Sequence, residues 1–306
     1  MQSSRRYMHF IGGRCRESSI KAVADEQRLD WRTVKNLEKE YMQEQLDNRP
    51  DPSPRVIGID EISIKKGHTY RIIVSDLERG EPIWFGEKDR SQASMDKFYE
   101  WLGPEKCKKI ELVIMDMWKA FRNSAEKNVP NVAILFDKFH TVQHLNVSLD
   151  KVRKEEHKRL KETNGEDYIK GNKYTLLSRR ENLKLEGPES LKKILEANER
   201  LNVAYLLKES FTQLWDYKDP KDARKFFDNW KQSLEGQDLK SYEKFSAMIE
   251  RHWDGIAGHC KLGAGIKLGF VEGLNNKIRV FQRRAYGIKD EEYLRLKILT
   301  FMLDPL

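Results

Sequence analysis

Apolar positions in the first part of the chain recur at the spacing of amphipathic helices. In residues 18–42 they form two short groups: Ile20, Val23 and Ala24, then Val34 and Leu37. The groups are separated by a turn near Arg28, and Asp30 is expected to cap the second helix through its side-chain oxygen. Two short helices with so tight a turn resemble a helix-turn-helix, whose second helix enters the DNA major groove.

The outward positions of the second helix are candidates for DNA contact. We expect them to be Trp31, Arg32, Thr33, Lys35 and Asn36. An ordinary helical hairpin is the alternative, because turns of this kind often contain Gly and this chain has Arg28 there. We therefore predict an incomplete helix-turn-helix segment over residues 1–44, followed by a Pro- and Asp-rich linker at 45–54.

The pattern changes to short β-branched runs after residue 54. RVIGID, HTYRIIVSD and PIWFGE predict three strands joined by turns, and IELVIMD and NVAILFD predict two buried strands, each preceded by a helical segment. Three hairpin-linked strands followed by helix, strand, helix and strand is the order of a ribonuclease-H-like α/β sheet. In that topology Asp60 would lie on the first strand and Asp116 on the fourth, and these strands are central neighbours.

Helical periods dominate residues 138–265. One long helix is predicted for KFHTVQHLNVSLDKVRKEEHKRLK, and further helices near 188–216, 219–235 and 238–257. The predicted fold class is therefore α/β: a mixed sheet flanked by helices, formed by residues 55–137 and 266–306, with an all-helical insertion at 138–265. Four tryptophans have core-facing spacings and are expected to pack internally: Trp84, Trp101, Trp118 and Trp215.

Three carboxylates are candidates for metal-assisted phosphoryl chemistry. Asp60 and Asp116 each end a buried strand, and Glu272 opens the amphipathic stretch VEGLNNKIRVFQRRAYG. Carboxylates held together by a sheet and a helix bind divalent cations, which is the arrangement of nucleases and strand-transfer enzymes. Taken singly, a strand-end Asp is more often a turn or cap residue, and Asp137 is expected to be one.

The helix that begins near Glu272 combines this acid with basic residues on one face. At about 100° per residue, Asn276, Arg279 and Arg283 fall within about 40° of Glu272. The opposite side is apolar and is expected to pack on the sheet: Val271, Leu274, Ile278 and Phe281. Arginines beside a metal-binding acid suit contact with a DNA backbone, although an amphipathic helix with incidental charges has the same pattern.

Composition limits the partners and the surroundings. The net charge of +8 and the pI near 9.1 favour a polyanion such as nucleic acid. The three cysteines have no metal-binding or disulfide spacing, and no apolar run reaches the roughly 18 residues of a membrane span. We expect a cytoplasmic protein with no membrane partner.

Four sequence blocks together resemble the ISL3 family of bacterial insertion-sequence transposases: GIDEISIKKGHTY, VIMDMWKAFRNS, FDKFHTVQHLN and GFVEGLNNKIRVFQRRAYGIKDEEYLRLKIL. The resemblance extends from about residue 18 to the C-terminus, with the blocks in the same order. It implies a DDE transposase, a ribonuclease-H-like domain with a helical insertion that cuts and rejoins DNA at the ends of the element. Asp60, Asp116 and Glu272 match the catalytic triad of that family.

The resemblance also implies a mechanism and partners. Two Mg²⁺ (or Mn²⁺) ions would be held by Asp60, Asp116 and Glu272, and would activate the attacking water and stabilise the leaving 3′-oxygen. On the predicted helix that begins near Glu272, the candidates for DNA contact are Asn276, Lys277, Arg279, Arg283 and Arg284. The implied partners are double-stranded DNA, both the terminal inverted repeats and the target, and further copies of the chain in a homodimer or larger assembly.

Two departures and two alternatives accompany the resemblance. The chain has no N-terminal cysteine zinc ribbon, which many members have, and it has GIKL before GFVEG where many members have a Ser/Thr-Asn pair. One alternative is a catalytically silent, truncated or domesticated relative that acts as a DNA-binding repressor. The other is a cellular nuclease of the same fold with no preference for repeat ends.

Overall fold

The computed structural model describes residues 4–65, 69–162, 169–178, 180–183, 187–261, 269–285 and 288–306. The chain divides into two compact units, one formed by Met1–Ala133 with Ala264–Leu306 and the other by Ile134–Gly263. The first unit contains the residues that the sequence singled out for chemistry and DNA contact. The second is helical and overlaps the insertion predicted at 138–265.

Within the described residues, one mixed sheet is formed by β1 (Val56–Lys65), β2 (Thr69–Asp76), β3 (Glu81–Gly86), β4 (Leu112–Met115) and β5 (Ala133–Phe136). The strand order is β3-β2-β1-β4-β5. β2 is antiparallel to both β1 and β3, whereas β1 and β4 are parallel. The sequence prediction of an α/β chain in which the first and fourth strands are neighbours is confirmed.

The helices follow in chain order, with α7 to α13 in the second unit. They are α1 (Arg5–Glu17), α2 (Ile20–Gln27), α3 (Trp31–Asp47), α4 (Gln92–Leu102), α5 (Pro104–Cys107), α6 (Lys119–Asn128), α7 (Lys138–Glu162), α8 (Lys173–Leu177), α9 (Gly187–Ala197), α10 (Glu199–Phe211), α11 (Pro220–Gln232), α12 (Lys240–Arg251), α13 (Trp253–Ala257), α14 (Phe270–Arg284) and α15 (Glu291–Thr300). Short 3₁₀ helices lie at Arg180–Asn182, Thr212–Asp216 and Gly258–Lys261.

The two faces of the sheet are covered by different helices of the first unit. Successive strand residues point to opposite faces, so Asp60 and Ile62 share one face of β1 while Glu61 belongs to the other. The face of Asp60 is covered by α14 and α15, whose apolar residues form a core with the strands: Ile62, Ile73, Phe85, Leu274, Ile278, Leu294, Ile298 and Leu299. The opposite face meets α4, where the rings of Trp84 and Phe98 lie 5.8 Å apart.

Helix α15 also packs against the three N-terminal helices. Its other side contributes Tyr293 and Leu296 to a second core with residues of α1, α2 and α3. Buried Glu38 of α3 accepts a hydrogen bond from the Tyr293 hydroxyl (2.6 Å) and pairs with the Lys297 ammonium. Lys297 also donates to the carbonyl of Cys15 in α1 (3.0 Å). One helix therefore ties the N-terminal helices to the core beneath the sheet.

Three features of the N-terminal region differ from the prediction or sharpen it. Helix α1 was not predicted, and Ser4 caps it through its hydroxyl. Helix α3 continues to Asp47, so the first residues of the predicted 45–54 linker are helical. Asp30 caps α3 as predicted, and Arg28 has φ of 53°, the left-handed conformation that explains why Gly is common at such turns.

The second unit is built around the long helix α7, which the sequence predicted as a single element. Asp137 caps it as expected, since its Oδ1 accepts from the amide of Phe139 (2.7 Å). Helices α10 and α12 pack on α7. The helical stretch predicted near 188–216 is divided, because Asn198 interrupts it and caps α10 by accepting from the amide of Leu201 (2.9 Å). No helix in the described part of the chain combines the length and hydropathy of a membrane-crossing segment.

Candidate active site

Asp60 lies in the middle of β1, and Asp116 directly follows the last residue of the neighbouring parallel strand β4. The prediction that Asp60 ends its strand is wrong, because β1 continues to Lys65 through its pairing with β2. The register of β1 and β4 pairs Gly58 with Ile114. Continuing this register by two residues on each strand aligns Asp60 with Asp116. Adjacent strands are about 4.8 Å apart, and register partners in a parallel pair share a face, so the two carboxylates emerge side by side.

Each of these carboxylates is held by the main chain that follows it. The amide of Glu61 donates to Asp60 Oδ1 (2.7 Å), and the amide of Met117 donates to Asp116 Oδ1 (2.6 Å). Asp60 is 7% exposed, whereas Asp116 is half-buried. The hydrogen bonds restrict both side-chain rotamers, so the pair is oriented without a ligand.

Asn275 of α14 joins this helix to the carboxylate pair. Its Nδ2 donates a hydrogen bond to Asp60 Oδ2, and the residue is buried, at 7% exposure. Among the described residues, its Oδ1 has no hydrogen-bond partner. An amide oxygen left without a partner next to buried carboxylates is unfavourable by itself and suits a site that receives a cation or water.

Glu272 belongs to the same helix, one turn before Asn275. The helical repeat puts positions 272 and 275 about 60° apart around the helix axis. The side chain of Glu272 lies outside the described residues, as does that of Val271. Within the described residues, no three His, Cys, Asp or Glu side chains are grouped to hold a metal ion. Of the three predicted catalytic carboxylates, the structure therefore describes the side chains of Asp60 and Asp116. For Glu272 it describes only the helix α14 to which the residue belongs.

A cluster of charged and aromatic residues lies beside the pair on the other face of β1. Arg90 pairs with Glu61 (Nη1 to Oε1, 2.7 Å), and its guanidinium lies 4.5 Å from the ring centre of Trp118 and 4.8 Å from that of Tyr70. The Trp118 indole donates in turn to the carbonyl of Arg90 (2.8 Å). We call Glu61, Arg90, Tyr70 and Trp118 the aromatic clamp.

The electrostatics of Glu61 connect this clamp to the carboxylate pair. Burial raises the pKa of Glu61, the ion pair with Arg90 opposes that change, and the negative charges of Asp60 and Asp116 add to it. Glu61 directly follows Asp60 in the chain, so its ion pair with Arg90 balances part of the negative charge beside the carboxylate pair.

The exposure of two tryptophans differs from the sequence prediction. Trp118 is 39% exposed and Trp101 is 50% exposed, so the expectation that both pack internally is wrong. Trp118 is the residue just before α6 begins. Its position in the apolar pattern of the sequence is the same whether its ring is buried or exposed, so the pattern did not show that the ring lies on the surface. Trp84 and Trp215 are half-buried.

The exposed surface of α14 has two stripes of polar residues. Asn276, Arg279 and Arg283 form the stripe nearest position 272, and Arg279 Nη1 donates to Asn276 Oδ1 (3.1 Å). Lys277 and Arg284 form the other. Lys277 lies 5.2 Å from the ring centre of Phe301, and Arg284 donates to the carbonyl of Glu17 (3.3 Å). The predicted DNA-contact residues of this helix thus face two directions.

The predicted DNA-facing residues of α3 also divide into two groups. Trp31, Arg32, Thr33 and Asn36 are exposed. Lys35 is half-buried instead, because its Nζ pairs with Asp290 Oδ2 at 2.7 Å. The inward positions Val34 and Leu37 are buried as predicted.

Sequence reasoning did not assign Glu61 or Arg90 to this region, and it noted Asn275 only as part of the block that resembles the family. Asn275 lies about one helical turn after Glu272, but the adjacent amide Asn276 fits the polar face of that helix equally well, so the sequence does not distinguish them. Glu61 follows Asp60 directly, and the strand pattern drew attention only to Asp60. Arg90 lies in the segment between β3 and α4, where no pattern in the sequence connects it with Glu61 of β1.

Comparisons with known proteins agree with one another. A family model described as a transposase, the ISL3 type of DDE transposase, matches residues 57–298. The transposase for insertion sequence element IS1001 of Bordetella parapertussis is 31% identical over 284 residues, which cover 92% of this chain and 69% of that protein. The transposase for insertion sequence element IS1557 in two strains of Mycobacterium tuberculosis is 27% identical over 304 residues, covering 91% of this chain and 67% of that protein.

Proposed function

Because the chain belongs to the ISL3 family of insertion-sequence transposases, we propose that it cuts DNA at the ends of an insertion sequence and joins those ends to target DNA. In this proposal Asp60, Asp116 and Glu272 are the catalytic carboxylates. The sheet has the ribonuclease-H-like arrangement, and α2 with α3 is a helix-turn-helix. The active form is a homodimer or larger assembly on paired ends.

The β1–β4 register is the observation that supports this proposal most. Continued by two residues, it would align Asp60 with Asp116. The hydrogen bond from Asn275 to Asp60 adds support, because it holds α14, the helix of Glu272, next to β1. Strands β1 and β4 and helix α14 come from three distant parts of the chain and meet at the inner strand β1.

The donor set fits two Mg²⁺ (or Mn²⁺) ions. Carboxylate and amide oxygens are the ligands these hard cations prefer. Asn275 Oδ1, which has no hydrogen-bond partner among the residues that the structure describes, is a further oxygen beside Asp60. Asp60, Asp116 and Glu272 would hold the ions. The chemistry supplied by the bound ions is activation of the attacking water and stabilisation of the leaving 3′-oxygen.

The remaining contribution of the chain is positioning and charge compensation. Arg279 and Arg283, exposed on the stripe nearest position 272, suit contacts with phosphate oxygens next to the cleaved bond. The exposed side of α3 suits the major groove, with Trp31, Arg32 and Asn36 towards the bases or the backbone. Residues that only bind and orient DNA can supply a large part of the rate acceleration.

The test is cleavage of labelled terminal-repeat DNA with and without Mg²⁺. We expect Mg²⁺-dependent cleavage at the repeat end by the wild-type chain, and none by Asp116→Asn, which should still bind the same DNA. Asp76→Asn is the matched control: Asp76 ends β2 at the opposite end of the sheet, where its Oδ1 accepts from the amides of Glu78 and Arg79. This variant should cleave at the wild-type rate.

Three results would contradict the proposal or part of it. Repeat-end binding without cleavage by the wild-type chain in Mg²⁺ would favour a DNA-binding repressor. Cleavage that ignores the repeat ends would favour a general nuclease. Cleavage by Asp116→Asn at the wild-type rate would remove this residue from the mechanism.

A further inference from the structure

The aromatic clamp has a geometry that the carboxylate chemistry does not require. Arg90 is fixed by three partners at once: Glu61, the Tyr70 ring and the Trp118 ring. Trp118 is held through its indole nitrogen by the carbonyl of Arg90. Such contacts hold the indole in one orientation while leaving 39% of the residue exposed. A fixed, exposed ring of this kind is a preformed stacking surface.

The position of the clamp points to the ligand. Trp118 is two residues from Asp116, and its amide donates to the Asp116 carbonyl (2.6 Å). Two residues span at most about 7 Å. Stacked DNA rises about 3.4 Å per nucleotide, so the ring is within reach of a nucleotide next to a phosphate held at Asp116.

The charges of the clamp favour a base over a phosphate. The guanidinium of Arg90 is paired with Glu61 at 2.7 Å. Because Glu61 already neutralises this guanidinium, Arg90 has little net charge left to attract a phosphate. A nucleobase is uncharged and has a flat face that stacks on an aromatic ring, whatever its identity.

We propose that Trp118, held by Arg90, receives an unstacked nucleobase from a nucleotide beside the cleaved phosphate. The proposal rests on the proposed DNA-cleaving function and adds a binding site for one base to it. Moving that base out of the helix exposes the phosphodiester to the carboxylate pair, and stacking on Trp118 offsets the cost of unstacking.

The test measures binding by fluorescence anisotropy in the Asp116→Asn background, so that bound DNA stays uncut. The DNA is a duplex that contains the junction between the terminal repeat and the neighbouring DNA. One duplex is fully paired, and the others have a mismatch or an abasic site at one of the nucleotides next to that junction. A mismatch lowers the cost of unstacking. We expect a mismatch at one of these nucleotides to tighten binding by the chain with Trp118, and an abasic site there to remove the advantage.

Substitutions of two exposed tryptophans make the comparison specific. Trp118→Leu should weaken binding to the mismatched duplex by roughly 5- to 100-fold, the range expected for loss of one stacked base. On the abasic duplex it should bind as the parent does. Trp118→Phe keeps a ring and should retain most of the effect. Trp101→Leu, which removes an exposed ring on α4, should behave as the parent on every duplex.

Equal mismatch effects in the parent and Trp118→Leu at every flanking nucleotide would overturn this proposal. That result would leave the proposed function intact if the wild-type chain still cleaves repeat ends in Mg²⁺. Failure of the wild-type chain to cleave would contradict the proposed function, whatever the binding experiment gives.

Discussion

Asn275 donates a side-chain hydrogen bond from its Nδ2 to Oδ2 of Asp60, joining α14 to the middle of β1. Both residues are buried, at 7% exposure each. The Asn275 side chain uses its amide nitrogen to bind Asp60, and the amide oxygen, Oδ1, has no hydrogen-bond partner among the described residues. Asn275 is thus a positioning residue for Asp60 and also presents an oxygen to the region where a cation is proposed.

The first prediction concerns Asn275 and the response to Mg²⁺. Asn275→Leu leaves Asp60 Oδ2 without this donor and is expected to reduce repeat-end cleavage by about 10- to 100-fold, as loss of an outer-shell partner does at metal sites. Asn275→Asp brings two carboxylates together, which disfavours their ionised forms until a cation binds. Its cleavage rate should therefore recover at higher Mg²⁺ concentration, and a Mg²⁺ titration of the rate checks this.

A matched control for Asn275 is Gln45 of α3. It is buried, its Nε2 donates to the carbonyl of Asp304 (2.8 Å), and its Oε1 has no partner among the described residues. Gln45→Leu should lower stability to a similar degree and leave the Mg²⁺ dependence of cleavage unchanged. If both variants shift the Mg²⁺ dependence equally, Asn275 acts through stability only.

The second prediction concerns the buried Glu38–Lys297 pair. Lys297→Met removes the ammonium that pairs with the buried Glu38 carboxylate and leaves it the hydrogen bond from the Tyr293 hydroxyl. Breaking a buried pair by removing one member costs about 3–5 kcal/mol of unfolding free energy. The double variant Glu38→Leu, Lys297→Met removes both charges and should regain most of that loss in urea unfolding. If the double variant is as unstable as Lys297→Met alone, the unpaired Glu38 carboxylate is not the cause of the lost stability.

The third prediction separates Arg32 from Lys35 on α3. Arg32 is exposed, whereas the Lys35 ammonium pairs with Asp290. If α3 enters the major groove, Arg32→Ala should weaken repeat-end binding by about 1–3 kcal/mol. Lys35→Ala should weaken it less, because its charge is already neutralised. Anisotropy titrations of both variants check this, and a larger loss for Lys35→Ala would reverse the proposed orientation of the helix.

The fourth prediction concerns the salt dependence of DNA binding. Each phosphate contact that is lost reduces the slope of log affinity against log salt by about one. Arg279→Ala and Arg283→Ala are each expected to do so. Arg55→Ala is the control, since Arg55 is exposed just before β1 begins and pairs with Glu111 (2.9 Å). An unchanged slope in both α14 variants would remove that stripe from the DNA contact.

Much of the fold could be predicted because the spacing of apolar residues within each segment indicates a helix or a strand. The order of these segments along the chain then indicates the type of sheet. The apolar runs that end at Asp60 and Asp116 predicted the neighbouring strands β1 and β4 from the sequence alone. Helix α1 was missed because Gly12 and Gly13 interrupt its apolar spacing. A Cβ at Gly12 would overlap the Tyr41 ring, so this Gly is needed for close packing of α1 on α3.

The parts of the site that could not be predicted depend on contacts between distant segments. Trp118 has a spacing compatible with burial, and only the position of Arg90 explains how the ring is held at the surface. Asn275 and Asn276 are adjacent amides in one helix, and the packing of α14 on β1 decides which of them reaches Asp60. Lys35 is drawn inwards by Asp290, which is 255 residues away in the sequence.

The most direct test of the shared metal site is Mn²⁺ binding to the whole chain, measured by electron paramagnetic resonance. We predict that Asp60→Asn, Asp116→Asn and Glu272→Gln each weaken binding of the same ions by at least about 10-fold, while Asp76→Asn binds as the wild-type chain does. Wild-type affinity in Glu272→Gln would contradict the claim that the three carboxylates share one site.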